Sequence, residues 1–285
     1  MTLIQPILDE LVLTDEQFAR ICRMVYEHCG INLHEGKKEL VRARLAKMLR
    51  KYHMKSYDEY IDFVLQDVGG KTFYEMIDQI STNLTSFFRE PKHFEYLTQK
   101  FLPELIAKKQ KIGRLRIRAW SAGCSSGEEP YSMAITLLES LPKNQTWDVR
   151  ILATDISTRV LQTAQQGLYE AQRVAAVSAD LKRRYLIPRK ERNGEMYYEV
   201  ASAARNILTF KYLNLMDPWP FRGPFDFIFC RNVMIYFDKP TQEKLVNRFW
   251  DILDVDGHFF TGHSESLTGI RHSFSYVQPT IYRKQ

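Results

Sequence analysis

The residues with the most chemical potential in this chain are crowded into Trp120–Ser132, "WSAGCSSGEEPYS". Gly123 and Gly127 flank Cys124, Ser125 and Ser126, and Glu128 and Glu129 follow at once. Such a stretch can cradle a phosphate, present a nucleophilic thiol on a turn, or line a pocket for a ligand that is not anionic. A P-loop requires G-x-x-x-x-G-K-[ST], and no lysine follows Gly127. The dinucleotide fingerprint G-x-G-x-x-G is absent too. Where a pyrophosphate would sit on a helix N-terminus, two carboxylates open the expected helix and repel it. The turn therefore suits a neutral or cationic ligand, although first-turn capping would also account for Glu128 and Glu129.

Cys124 lies near a helix start, which lowers a thiol pKa, but the neighbouring glutamates act in the opposite direction. The partner base would have to be His263 of "GHSES", far along the chain. Cys124 reads better as a small packed apolar residue. Asp155 ends the apolar segment "VRILATD", the place where an acid in a Rossmann-like fold bonds both ribose hydroxyls; capping the next helix is the alternative. Together these residues describe a pocket for a nucleoside that lacks phosphates and carries positive charge. S-adenosylmethionine (AdoMet) has that chemistry.

Elements to position these residues are legible on both sides. Residues 1–90 read as a helical domain. Thr14 and Gln17 form a capping box, and Gly30 stops that helix. A basic helix spans residues 37–55, with eight Lys/Arg and one acid, Glu39. Val41, Leu45, Met48, Leu49 and Tyr52 make its apolar face, and Lys37, Arg44, Lys47, Lys51 and Lys55 line one flank. Ser56 and Glu59 box a third helix that ends before Gly69-Gly70, and a fourth leads into the loop "STNLTSFFREP". From 91 to 285 strands and helices alternate, predicting an α/β, Rossmann-like, mostly parallel sheet. Asn193-Gly194 between β-rich flanks predicts a small antiparallel insertion at about 167–206.

The net charge of +6 is local, since residues 1–90 hold twelve Lys/Arg against fourteen Asp/Glu. That points to a docking face for something acidic rather than a surface built for DNA. Four cysteines without a CxxC pair or zinc spacing, no membrane-length apolar run and no signal-peptide pattern at the start predict a cytoplasmic chain with reduced thiols.

"TNLTSFFRE", "WSAGCSSGEEPYSMAI", "ATDIS", "LNLMD", "GPFDFIFCRNVMIYF" and "GHSES" occur in this order. On these motifs, from about Leu11 to the C-terminus, the chain resembles the chemotaxis receptor glutamate O-methyltransferases, the CheR family. The resemblance implies AdoMet as methyl donor, S-adenosylhomocysteine as product, and glutamates of chemoreceptor cytoplasmic helices as acceptors. It implies cofactor contacts from Asn83, Thr85, Arg89, Glu129, Asp155, Asn214, Leu215, Arg231 and Asn232. Tyr236 and Arg89 would flank the transferred methyl, and Arg89 would orient either the substrate's or the cofactor's carboxylate. Ser86 and Cys124 depart from residues that are often alanine. The basic flank becomes a dock for acidic receptor helices, and the insertion a place where a receptor's C-terminal tether peptide could add as a strand.

A carboxylate is ionised at neutral pH, its usual pKa being about 4. Methyl transfer to it needs no general base, in keeping with the lack of a Cys-His or Ser-His-Asp arrangement. Two rivals stand beside this reading. A nucleic-acid methyltransferase would commonly carry Asn/Asp-Pro-Pro-aromatic where this chain has "RNVMIY". An AdoMet-sensing adaptor without turnover would have no use for that segment together with Arg89.

Overall fold

Thr14 starts the first helix as its spacing predicts: its hydroxyl accepts from the Gln17 N–H at 3.2 Å, and Gln17 Oε1 accepts from the Thr14 N–H at 3.0 Å. Gly30 ends it in the left-handed conformation, φ 69°. The computed structural model describes residues 12–190 and 194–285. Its helical part comprises α1 (Asp15–Cys29), α2 (Lys38–Tyr52), α3 (Tyr57–Leu65) and α4 (Lys71–Ile80). Phe18, Ile21, Val25, Leu45, Leu49, Tyr60, Ile61, Phe73 and Ile77 bury their apolar stripes against one another in a core of their own. The basic segment is shorter as a helix than its charges suggest. Lys37 belongs to a 3-10 turn, Glu35–Lys37, and Lys55 lies in the connection after α2, so the five expected cations do not share one helix flank.

A second core begins with Phe87. Helix α5 (Pro91–Tyr96) continues through a π turn at Leu97–Phe101 into α6 (Leu102–Lys111). Strand β1 (Arg116–Ala122), helix α7 (Glu128–Ser140), β2 (Asp148–Asp155) and α8 (Thr158–Gln166) then alternate as expected. After the insertion come β6 (Leu208–Tyr212), β7 (Phe225–Cys230), α11 (Lys239–Ile252), β8 (Leu253–Thr261), β9 (Ser275–Gln278) and β10 (Ile281–Arg283). The seven strands order as β6-β2-β1-β7-β8-β10-β9; the first five run parallel, and β10 pairs antiparallel with β8 and β9. β7, "FDFIFC", is buried at every residue, as a central strand covered on both faces must be. The chain leaves β1 toward β2 on one side and returns to β7 on the other. That reversal opens a crevice beyond the carboxyl ends of β1 and β7, where α/β sheets bind ligands.

The insertion holds a three-stranded antiparallel sheet, β3 (Leu168–Glu170), β5 (Met196–Val200) and β4 (Leu186–Lys190) in that order. Helices α9 (Ala179–Tyr185) and α10 (Ser202–Arg205) flank it. Of the predicted hairpin turn, Asn193 lies outside the described residues, and Gly194 has φ 87°. Among the described residues no helix is long and apolar enough to cross a membrane.

Candidate active site

A cleft of about 310 Å³ opens at the crevice between the helical part and the sheet. Its floor is the turn between β1 and α7. Gly123 there has φ 81°, and a Cβ on it would stand 2.3 Å from Val233 Cγ2, so the turn tolerates only glycine. The N–H groups of Gly123 and Cys124 both donate to the Thr154 carbonyl at 2.8 Å. Asp155, at the end of β2, accepts from the Ser125 N–H at 2.8 Å and the Ser157 N–H at 2.9 Å. The side chain of Ser157, not that of Asp155, caps α8. Burial pushes the Asp155 carboxyl up to about 6, against the opposing pull of those backbone donors.

The two adjacent glutamates separate. Glu129 lines the cleft and accepts from Ser121 Oγ at 2.7 Å. Arg231 Nη1 stands 3.4 Å from its other oxygen. Burial raises the Glu129 carboxyl's pKa, and Arg231 works against that rise. Glu128 is fully buried, bonded to Ser126 Oγ at 2.9 Å and ion-paired with Arg173 of the insertion. It does not line the cleft, so the repulsion of a pyrophosphate expected from two carboxylates falls to Glu129 and Asp155. Cys124 is buried and its thiol pKa is pushed well above the ordinary value, by burial first and then by Asp155 and Glu129. It is a packing residue.

The far wall is the segment after β7. Arg231 is buried, its side chain 1% exposed, and its guanidinium stands 3.1 Å from Glu90 as well as facing Glu129. It also donates to the Arg89 carbonyl and lies over the rings of Phe229 and Phe94. Asn232 is left-handed at φ 60°. Its N–H donates to Glu265 Oε2 at 2.7 Å; the Gly262 N–H shares that oxygen at 2.6 Å, and the Ile235 N–H reaches Oε1 at 3.1 Å. Neither Glu265 nor Glu90 was singled out from sequence. Each holds partners 141 or about 30 residues away in the chain, and the only local hint was that both lie within motifs of the resemblance.

The segment after α4 lines the other side of the cleft. Asn83 receives Ser125 Oγ on its carbonyl at 3.0 Å, while its buried Nδ2 has no hydrogen-bond partner among the described residues. Thr85 lines the same wall. Arg89 donates one Nη1 hydrogen bond to the Leu84 carbonyl at 2.8 Å and has no carboxylate partner among the described residues. Tyr236 also lines the cleft, its hydroxyl donating to the Thr82 carbonyl at 3.3 Å; burial raises its pKa, so it stays a donor. Leu215 and Asn214 complete the lining. The Asn214 amide is already engaged, however, donating to the His28 carbonyl at 2.6 Å and accepting from the Met216 N–H at 3.1 Å. Its side chain ties α1 to the sheet, leaving its backbone for any ligand.

The basic residues also divide. Lys37 lines the cleft. Arg44 donates to the carbonyls of Ile80 at 2.6 Å and Ser81 at 2.9 Å, tying off the end of α4, and Lys51 pairs with Glu75. Lys47 and Lys55 are exposed and make no ion pair among the described residues.

The SAM-binding domain of the CheR methyltransferases matches residues 83–283, and the family's all-alpha domain matches residues 16–81. The chain belongs to the CheR family. It is 42% identical to the chemotaxis protein methyltransferase of Borreliella burgdorferi, over 95% of each chain. A probable chemotaxis protein methyltransferase of Rhizobium etli is 41% identical over 91% of this chain and 96% of its own. The chemotaxis protein methyltransferase of Escherichia coli is 34% identical over 96% and 92%. This CheR protein is thus an AdoMet-dependent methyltransferase of chemotaxis, and the cleft's donor set fits that cofactor. Two carboxylates, an orphaned amide donor and apolar lining such as Ile156, Leu215 and Val233 suit ribose hydroxyls, a cation and an adenine.

The Glu265 nest organises the Arg231–Tyr236 wall. Glu265→Gln must turn an NH₂ toward a backbone N–H whichever way the amide lies. Denaturant unfolding should show a loss of about 1–3 kcal/mol, the cost of leaving buried donors unsatisfied.

Proposed function

We propose that this protein methylates glutamate side chains of chemoreceptors, forming glutamyl methyl esters. The observation that carries the reading is Arg89, a cation with no carboxylate partner among the described residues, lining the same cleft as the protonated Tyr236. An arginine so placed attracts an anionic acceptor and gains nothing from a neutral amine or base. Bound in the cleft, AdoMet supplies an electrophilic methyl group on a cationic sulfur. The chain's task is to hold a carboxylate in line with it and exclude water. Arg89 orients that carboxylate, Tyr236 donates to it once its hydroxyl turns from the Thr82 carbonyl, and the apolar Leu84 and Ile235, both exposed, rim the entrance. Asp155 receives the ribose hydroxyls, Glu129 faces the cationic end, and Asn83, Thr85, Arg231 and Asn232 complete the shell. The backbone of Asn214 and Leu215 meets the adenine. Residues 1–90 act as receptor dock and lid on a catalytic domain of 91–285, in the cytoplasm, where receptor signalling helices lie. The insertion at 167–206 takes a receptor tether peptide as an added strand.

The deciding experiment transfers labelled methyl from AdoMet to a receptor cytoplasmic fragment and then applies mild alkali. An ester releases the label as methanol; label that resists base rules the reading out.

The cofactor site carries its own pH signature. Ribose hydroxyls donate to an ionised Asp155, and burial sets its pKa at about 6. S-adenosylhomocysteine affinity, measured calorimetrically, should hold above that pH and fall as pH drops through it. Asp155→Asn should bind roughly 10- to 100-fold more weakly and lose the drop, since a charged acceptor is gone.

Docking rests on the free lysines. Lys47→Glu with Lys55→Glu should raise KM for the receptor fragment several-fold, most strongly at low salt, with kcat and S-adenosylhomocysteine binding unchanged. An unaltered KM removes α2 from the dock.

A further inference from the structure

Next to Arg89, on the side of Glu90, lies a cluster the methyl-transfer chemistry does not use. Glu90, His93 and His263 each offer one ligand atom, and the three atoms lie within 4.8 Å of one another. Glu90 and His93 come from the start of α5, and His263 follows β8. His93 Nδ1 stands 3.5 Å from Glu90 Oε2, and His263 Nε2 stands 3.9 Å from the same oxygen.

The hydrogen bonds determine which His93 nitrogen is bare. Thr280 Oγ1 donates to the Pro279 carbonyl at 2.6 Å. A hydroxyl has one proton, so toward His93 Nε2, 2.7 Å away, Thr280 can only accept. In the neutral ring Nε2 therefore carries the hydrogen and Nδ1 is a bare lone pair. His93 is 1% exposed, and this Nδ1 has no hydrogen-bond partner among the described residues. It faces a carboxylate oxygen that is itself an acceptor. Two lone pairs aimed at each other in a buried site call for a cation between them.

We propose that Glu90, His93 and His263 bind a divalent transition-metal ion of the zinc class. Two imidazoles and one carboxylate are a donor set for Zn²⁺, which leaves a fourth position to water. Metal–ligand bonds of about 2.1 Å put tetrahedral ligand atoms roughly 3.4 Å apart, a span that His93 and Glu90 already have. His263, with its side chain 52% exposed, provides the entry path and closes by a small rotation. Thr280 is the outer partner that fixes the His93 ring. Arg231 opposes the ion, because it holds the same Glu90 oxygen at 3.1 Å. The competition holds the affinity below that of a structural zinc.

The test uses the full-length chain, free of any histidine tag and stripped with a chelator. Titration calorimetry with zinc chloride should give one ion per chain, and Co²⁺ should bind with the visible absorption of a tetrahedral site. His263→Ala should weaken both by about 100-fold, and Thr280→Val by about 10-fold, the range for outer-partner losses. Circular dichroism establishes that each variant is folded, and His263→Gln serves as a second replacement should alanine fail. Absence of one-to-one binding in the unaltered chain, or binding indifferent to the loss of His263, overturns the site.

Discussion

The guanidinium of Arg231 is the constraint around which the site is arranged. It leaves the end of β7 into an interior it could not enter alone, because an isolated buried charge costs far more than any single contact returns. Glu90 answers it from the start of α5, Glu129 from the first turn of α7, and the Arg89 carbonyl from the loop before α5. Phe229 and Phe94 bracket it with ring faces. Three pieces of chain far apart in sequence are thereby held to one point. The same contacts moderate the charge of Glu129, so the cleft keeps a carboxylate without being strongly anionic.

Around that point the cleft is built largely from backbone geometry. Gly123 makes the close approach to Val233, Asp155 pins the turn by its own acceptors, and Glu265 gathers the N–H groups of the opposite wall. These acids are structural and chemical at once. A carboxylate oxygen has more than one lone pair, so holding a backbone donor does not prevent Asp155 from receiving a ligand hydroxyl. Dual use of this kind confines the acids to narrow positions and makes their replacement costly in two ways.

Much of this was legible beforehand. The capping box at Thr14, the stop at Gly30, the alternation after residue 91 and the acid at the end of β2 all rest on local spacing, which sequence records directly. What escaped was long-range. Successive helix positions are about 100° apart, so Glu128 and Glu129 had to face different neighbours, yet only the fold reveals that Arg173 awaits the first. Arg44 sits on a polar flank of the helical wheel, but the carbonyls it meets belong to the end of another helix. Lys37 fell outside α2 because it belongs to the 3-10 turn that leads into it, and Lys55 because His53, left-handed at φ 56°, ends the helix. Glu90 and Glu265 had no local signature of their role.

The Asn214 amide bears on how such a molecule can change over time. By grasping the last-turn carbonyl of α1 it makes the lining of the cleft and the end of that helix parts of one joint. The helical region is consequently no detachable cassette. A lineage that acquired a new helical region by recombination would have to bring along a helix ending at the right height and angle, or lose that joint. New specificities in this architecture should therefore arise by point changes on exposed faces such as that of Lys47, while the domain itself is inherited whole.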